Sequence, residues 1–477
     1  MSIHPLEYIF HPQSIAVVGV SPDPNRHSVG RFFVSGMINQ GFRGRLYAVS
    51  LEGGEYEGRP IYLSLKDIPD TIDYAMVAVP SRSAVQMVRD AAAKGAKLVH
   101  FFTGGFSETG GTEESRLERE LVAVARETGV RILGPNCMGL YYPKGGLTFN
   151  PFFSKRIGRT GLISQSGGNS IYAARMAERR GVFYSKIVSY GNAADLNECD
   201  FLDYLTADPE TDVIALYVEG VDDGPRFLSL LNRAARTKPV IVYKGGMSAA
   251  GSSAAFSHTG SLAGSNAVWD AAIKQAGAIR VNDIDEMMDM ALLFENTSPA
   301  AVRNTVIVGV GGGNSVLVAD TWSAAGLPVP ALSPEVREKL KKALGGETGS
   351  SYRNPMDIFA MFTLESLQKV LDILFEQPEI NNVLVHLPVG MIDMVSTVPV
   401  IEGTAAMAKL PEEYKRRLIT VLYSPITRAD IEMTLERGQV LADAGIPVFP
   451  SAARAAQALK RFTEYHRRNN TNPTNIK

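Results

Sequence analysis

The chain has 477 residues, which at roughly 100 to 200 residues per domain is enough for about three cores. Hydrophobic residues make up 45% and charged ones 21%, a globular composition that excludes a fibrous repeat, a coiled coil or long disorder. With 48 Lys and Arg against 50 Asp and Glu the formal net charge is −2, so no global field draws the chain to nucleic acid or an anionic membrane, and only a local phosphate site stays compatible.

The N-terminal MSIHPLEYIF lacks a basic stretch leading into an apolar run, and no apolar segment approaches the roughly 18 residues of a spanning helix, so neither secretion nor membrane insertion is expected. Cys137 and Cys199 have no spacing that suggests a disulfide framework or a zinc site, and a reducing, cytoplasmic setting follows.

Three short apolar runs end in Gly or Ser and lead into a helical pattern: SIAVVGV at 14–20, TGLISQSGG at 160–168 and NTVIVGVGGG at 304–313. Each can open a parallel α/β unit. Between them come DYAMVAVP with a helix expected to be capped by Ser81, then KLVHFF, RILG, DVIALYVEG, PVIVYKGG, NNVLVHLPVG, LITVLYS and IPVFPS. Near-continuous Val, Ile and Leu in runs this short means burial on both faces, as in doubly wound sheets. Pro, Gly and polar residues collect at 143–158 and 296–304, which sets expected domains at 1–145, 146–300 and 301–467, with 468–477 as a loose tail.

In the first unit Gly19 ends a strand, and Val20 to Asn25 form a loop before a helix expected near Ser28 to Gly30. Backbone N–H groups at such a start attract phosphate. The loop is not a G-x-G-x-x-G turn, and the second strand ends in Ser50, with Glu52 close behind, so a nucleotide-type ligand competes with a plain tight turn. Two more loops, with Pro80 and Ser81 in one and Asn136 and Cys137 in the other, are expected at the same carboxyl edge; Cys137 reads as a buried small residue.

In the second unit His258 stands among Ser257, Thr259, Gly260, Ser261 and Gly264, small residues that let other backbone approach the imidazole. With no His, Cys or carboxylate at i±3 or i±4 a metal role recedes, which leaves proton or phosphoryl transfer against a structural histidine. Ser164, Gln165 and Ser166 precede Gly167 and Gly168 at a helix start that suits a phosphoryl group or serves as a simple N-cap. The order S-Q-S-G-G lacks the first glycine of a G-x-S-x-G elbow, which sets a serine hydrolase aside. Glu219 closes the strand DVIALYV, either orienting an imidazole or facing water.

From about residue 7 to 466 these motifs, in this order, resemble the α subunit, or α-type half, of the nucleoside-diphosphate-forming acyl-CoA synthetases, relatives of succinyl-CoA synthetase. The carriers are SIAVVGVSPDP, GPNCMG, GLISQSGG, GNAADLNECDFLDYL, LYVEG, SHTGSLAGS, GVGGGNSVLVADTWSAAGLPVPALS, RNPMDI and AGIPVFPSAARAAQAL. The resemblance implies an α/β fold, with an N-terminal Rossmann-like CoA-binding domain followed by two flavodoxin-like doubly wound domains. It implies that His258 is the phosphorylated histidine, that Glu219 supports it, and that Ser166, Gly167 and Gly168 cradle the phosphoryl group. Gly19, Ser21 and Pro22 match the CoA-binding turn, and Pro80, Ser81 and Asn136 its flanking loops; Arg26 is added as a phosphate contact from its charge beside that turn.

The implied reaction converts acyl-CoA, ADP and phosphate reversibly to a carboxylic acid, CoA and ATP. No ATP-grasp segment is recognised, so ADP or ATP with Mg2+ is expected on a separate ATP-grasp β subunit, in an α2β2 assembly. Glu52 stands where family members often carry a lysine, and GVGGGNS replaces a Gly-Gly-Pro-Gly turn. An NAD-dependent oxidoreductase and a non-catalytic CoA-binding regulatory subunit are the competing functions.

Overall fold

A computed structural model describes residues 4–248, 250–251, 265–299, 304–346, 350–358, 363–389, 398–423 and 426–470. The chain forms two compact units, Met1–Arg175 with Phe183–Met287, and Met176–Val182 with Met288–Lys477.

The first unit holds two sheets. In the first, strands β1 (Ser14–Val18), β2 (Arg45–Val49), β3 (Glu55–Tyr56), β4 (Arg59–Tyr62), β5 (Tyr74–Val77), β6 (Leu98–Phe101) and β7 (Arg131–Leu133) lie in the order β3-β4-β2-β1-β5-β6-β7. All neighbours are parallel except the β3–β4 edge pair. Without β3 the order is 3-2-1-4-5-6, the Rossmann arrangement. The second sheet contains β8 (Gly139–Tyr141), β9 (Thr160–Ser164), β10 (Tyr184–Ser189), β11 (Val213–Val218), β12 (Val240–Lys244) and β13 (Ile279–Val281), ordered β13-β12-β11-β9-β10-β8. Its five parallel strands run 2-1-3-4-5, as in flavodoxin, and β8 joins β10 antiparallel. Every residue of β1, β5, β6, β9, β10 and β11 is buried, as expected of strands covered on both faces.

The helices that position the site are α1 (Val29–Gln40), α2 (Ala84–Ala93), α3 (Thr112–Thr128) and α4 (Gly167–Arg179). The helix start expected near Ser28 to Gly30 is found at Val29, and Ser28 caps it, its hydroxyl accepting from the Arg31 N–H at 3.3 Å. Ser81 does not cap α2. A 3-10 turn over Ser81–Ser83 intervenes, α2 begins at Ala84, and no side chain caps either start. The reason is local: Pro80 fixes the entry to the turn, and Ser83 N–H bonds back to Pro80 O at 3.0 Å, so the backbone closes the turn.

Two polar clusters brace this unit. Arg131 on β7 grips Asp195 with two hydrogen bonds of 2.8 and 2.9 Å, and Asp195 also accepts from the Ile132 N–H. Lys186 on β10, 1% exposed, donates to Asp208 and Glu210 at 2.8 Å each and lies 4.6 Å from the Tyr142 ring centre.

The second unit carries β14 (Thr305–Gly309), β15 (Met356–Asp357), β16 (Asn382–Pro388), β17 (Leu418–Tyr423) and β18 (Val448–Phe449), all parallel, again in the order 2-1-3-4-5. RNPMDI does structural work here. Asn354 accepts from the Ile307 N–H and donates to Thr305 O and Pro330 O, each at 2.9 Å, while Asp357 accepts from Gly311 N–H. The C-terminal helix, Ala452–Asn470, runs beyond residue 467, so residues 468–470 form its last turn instead of a loose tail. Phe462, Tyr465 and His466 pack around Phe294 and carry the helix past its last apolar residue; residues 471–477 lie outside the described residues. Among the described residues no helix is long and apolar enough to cross a membrane.

The Lys186 cluster makes a measurable prediction. Burial raises the Glu210 carboxyl, but hydrogen bonds from Lys144, Lys186 and Tyr142 outweigh it and hold the group from an ordinary 4.5 down to about 2. The stabilisation is therefore present above pH 4.5 and is lost as pH falls towards 2. In urea titrations across that window Glu210→Gln should show a shallower loss of stability than the unaltered chain, and Lys186→Ala should cost about 3–5 kcal/mol by leaving Asp208 buried without its cation.

Candidate active site

The two sheets of the first unit each offer a crevice at the point where strand order reverses, which is where open α/β sheets bind ligands. In the first sheet this is the carboxyl end of β1 and β5. Gly19 turns the chain there with φ 102°, and a Cβ on it would stand 2.5 Å from Ala78 O, so only glycine fits. The Ser28 hydroxyl fixes the loop by donating to Gly19 O at 3.0 Å and accepting from Ser21 N–H at 3.2 Å.

A cavity of about 870 Å³ opens over this edge, with Gly19, Ser21, Arg26, Glu52, Pro80 and Arg82 in its walls. Four of the expected coenzyme contacts, Gly19, Ser21, Arg26 and Pro80, are thus brought together. Three are not on its surface: Pro22 packs beside Gly54, Ser81 beside Gly105, and the Asn136 side chain donates to Asn192 at 3.4 Å. Arg26 is not a free phosphate ligand either, because Glu52 holds its guanidinium at 2.5 Å and also accepts from the Ser21 hydroxyl at 3.4 Å. Of the two arginines in the cavity walls, Arg82, in the loop that carries Pro80 and Ser81, makes no ion pair among the described residues. Its position after β5, two residues beyond Pro80, was the available signal.

The second crevice lies between β9 and β11. Ser166 opens α4, its hydroxyl accepting from the Asn169 N–H at 3.3 Å and its carbonyl from Ser164 Oγ at 2.7 Å. Gly167 lies so close to Met138 that a Cβ would come within 2.8 Å of Met138 Cγ, whereas Gly168 faces open space. The first turn of α4 therefore presents bare backbone, with the positive end of the helix dipole, to anything that enters.

Glu219 does not face water. It is 6% exposed, its Oε1 accepts from the Tyr217 hydroxyl at 2.9 Å, and its Oε2 has no hydrogen-bond partner among the described residues. Burial, and after it the charge of Glu219, pushes the Tyr217 phenol up, so the hydroxyl remains a donor. Gln165 links this strand end to the helix start: its Oε1 accepts from the N–H of Glu219 at 2.8 Å and of Gly220 at 3.3 Å. The sequence places Gln165 at the helix start and Tyr217 in LYVEG without giving either side chain a role of its own.

His258 and its SHTGSLAGS loop lie outside the described residues. Two other histidines are held neutral by burial, His100 and His386, each pushed down to about 4. His100 is engaged with Tyr74 and Cys137 O, and His386 with Ser315 and Tyr423, which marks both as core groups. Cys137 is buried and its thiol is pushed up by that burial, in keeping with a small core residue. Gln165→Leu should strand two buried amide donors and cost about 1–3 kcal/mol in urea unfolding, while Gln165→Glu should recover part of that loss.

Comparison with known proteins bears on both crevices. A family model described as a CoA binding domain matches residues 13–143, and one described as a succinyl-CoA ligase like flavodoxin domain matches residues 157–294. The chain is 35% identical over 464 residues to acetate–CoA ligase [ADP-forming] I of Archaeoglobus fulgidus, covering 96% of this chain and 64% of that protein. It is 34% identical over 474 residues to acetate–CoA ligase [ADP-forming] I subunit alpha of Pyrococcus furiosus, covering 96% of this chain and 97% of that subunit. Among solved structures, the dinucleotide forming acetyl-coenzyme A synthetase 1 of Ca. Korarchaeum cryptofilum, in complex with phosphate and ADP, superposes with a TM-score of 0.81 at 28% identity, covering 98% of both chains.

Proposed function

The chain belongs to the ADP-forming acetate–CoA ligase family, and from that premise we propose that it carries the acyl- and phosphoryl-transfer chemistry of a nucleoside-diphosphate-forming acyl-CoA synthetase. The observation that carries this reading is Glu219: a buried carboxylate with one oxygen unpartnered, tied through Gln165 to the bare helix start at Ser166–Gly168. A carboxylate left so in a core is costly unless a donor completes it. An imidazole N–H of His258 is that donor in this reading, leaving the other ring nitrogen free to attack.

The steps balance as follows. Phosphate attacks the thioester carbonyl of acyl-CoA, the C–S bond breaks, and acyl phosphate and free CoA result. The neutral His258 nitrogen then attacks phosphorus, the bond to the acyl oxygen breaks, and the carboxylate leaves. The phosphohistidine passes its phosphoryl group to ADP, giving ATP and neutral histidine. The α4 dipole and the Gly167 and Gly168 amides offset the phosphoryl charge. CoA takes the 870 Å³ cavity, with Arg82 nearest to a free counter-charge for its phosphates. The nucleotide is held by an ATP-grasp partner, as a separate β subunit in an α2β2 assembly or as a further part of a longer polypeptide, as the greater length of the A. fulgidus relative allows.

Incubation with γ-labelled ATP and the nucleotide-binding partner should place an acid-labile, base-stable phosphate on the chain. His258→Asn should abolish it, and Glu219→Gln should slow its formation on the order of 10²-fold; a label that survives His258→Asn would sink the assignment. Glu52→Gln should tighten CoA about two- to fivefold at low salt, measured by calorimetry, by removing a carboxylate from beside the coenzyme's phosphates, and the gain should shrink as salt rises. Tight binding of NAD with none of CoA would instead favour an oxidoreductase.

A further inference from the structure

The second unit has a cavity of its own, of about 390 Å³, that the proposed reaction does not use. One wall is the helix Pro334–Ala343, which Ser333 caps by accepting from the Val336 N–H at 3.2 Å. Val336, Leu340 and Leu344 recur at helical spacing and sink into the core of this unit, so Arg337, Glu338 and Lys341 fall on the face turned away from that core and line the cavity. The facing wall is the segment before β15, which contributes Ser351, Tyr352 and Arg353.

Backbone pins this second wall. Ser351 and Asp357 exchange main-chain hydrogen bonds of 2.9 and 3.0 Å, and Asn354, next to Arg353, is fixed by its bonds to Ile307, Thr305 and Pro330. The Tyr352 ring packs on the same core as the helix. A wall fixed in this way loses little freedom when a ligand arrives. The charges that face the cavity are unpaired: Arg337, Lys341 and Arg353 form no ion pair among the described residues, and neither does Glu338, the one carboxylate in the lining. Lys339, on the same helix but outside the lining, pairs with Glu335 at 3.2 Å. Arg337 Nε and the Tyr352 hydroxyl are buried and have no hydrogen-bond partner among the described residues. Buried donors of this kind call for an acceptor.

We propose that this cavity binds a phosphate monoester with a hydroxylated body, of the size of a sugar phosphate. Three cations against one carboxylate select an anion, and two of the three are arginines, whose planar N–H pairs match phosphate oxygens. Their balance suits a dianion, whereas a polyphosphate or a tricarboxylate brings more negative charge than the lining cancels and meets Glu338 as a like charge. Glu338 and Ser351 are then left to the hydroxyl groups of the body. A volume of 390 Å³ exceeds what a phosphate group fills and lies in the range of small-molecule clefts. The site takes no residue from either crevice of the first unit and stands whether or not the CoA reading holds.

The test is calorimetry of the full chain with glucose 6-phosphate, glucose and citrate. Glucose 6-phosphate should bind at one site per chain, glucose should not bind, and citrate should bind at least about tenfold more weakly than the phosphate ester. Lys341→Gln combined with Arg353→Gln, both exposed, should weaken glucose 6-phosphate at least about tenfold, and the affinity of the unaltered chain should fall as salt rises. Should the double variant not fold, Lys341→Gln alone should cost at least about threefold. No binding of glucose 6-phosphate at about 1 mM, or binding that these variants leave unchanged, overturns the site. Glucose or citrate binding as tightly as glucose 6-phosphate overturns the assignment to a phosphate ester.

Discussion

The parallel pairing of β9 with β11 is the constraint on which the second crevice depends. Its register, from Thr160 opposite Val213 to Ser164 opposite Tyr217, brings the ends of two strands level at the point where strand order reverses. Gln165 then lies within reach of the Glu219 and Gly220 amides, and a shift of one residue would turn its side chain to the other face of the sheet. Glu219 is buried beside that alignment, and within its own strand end it accepts from Tyr217 while its Oε2 has no partner among the described residues. Lys244, at the end of the neighbouring β12 and fully buried, adds a cation whose pKa burial lowers and Glu219 raises.

The first crevice is organised by charge pairing instead. Arg26 and Glu52 neutralise each other across the loop after β1, and Lys66 does the same for Asp90 at 3.0 Å. What remains for an anion is Arg82 with the backbone of the turn. Arg26 can meet a further anion only by giving up Glu52.

Much of the fold was legible in the residues. Short apolar runs ending in Gly or Ser marked the strands that open the parallel units, the helix start near Ser28 was legible, and unbroken Val, Ile and Leu indicated burial on both faces. The misreadings have local causes. Ser81 has the chemistry of a cap, but Pro80 started a 3-10 turn before α2 could begin. The polar tail looked unable to order itself, yet aromatic packing on Phe294 held its first residues in a helix. At the candidate site, Gly19, Ser21, Arg26 and Pro80 line one cavity, whereas Asn136 turned towards Asn192, a neighbour 56 residues away that no local pattern announces.

By itself the sequence determined the period of each element, the glycines where backbone must approach backbone, and the order of motifs that assigns the chain to its family, because these depend on neighbours within a few residues or on inherited spacing. Only the tertiary structure decided which of those residues share a wall. The Gln165 bridge to Glu219 spans 54 positions and the Arg26–Glu52 pair spans 26. Strand register and sheet order set these meetings, and they are fixed by how the apolar faces pack, which no short window of sequence contains.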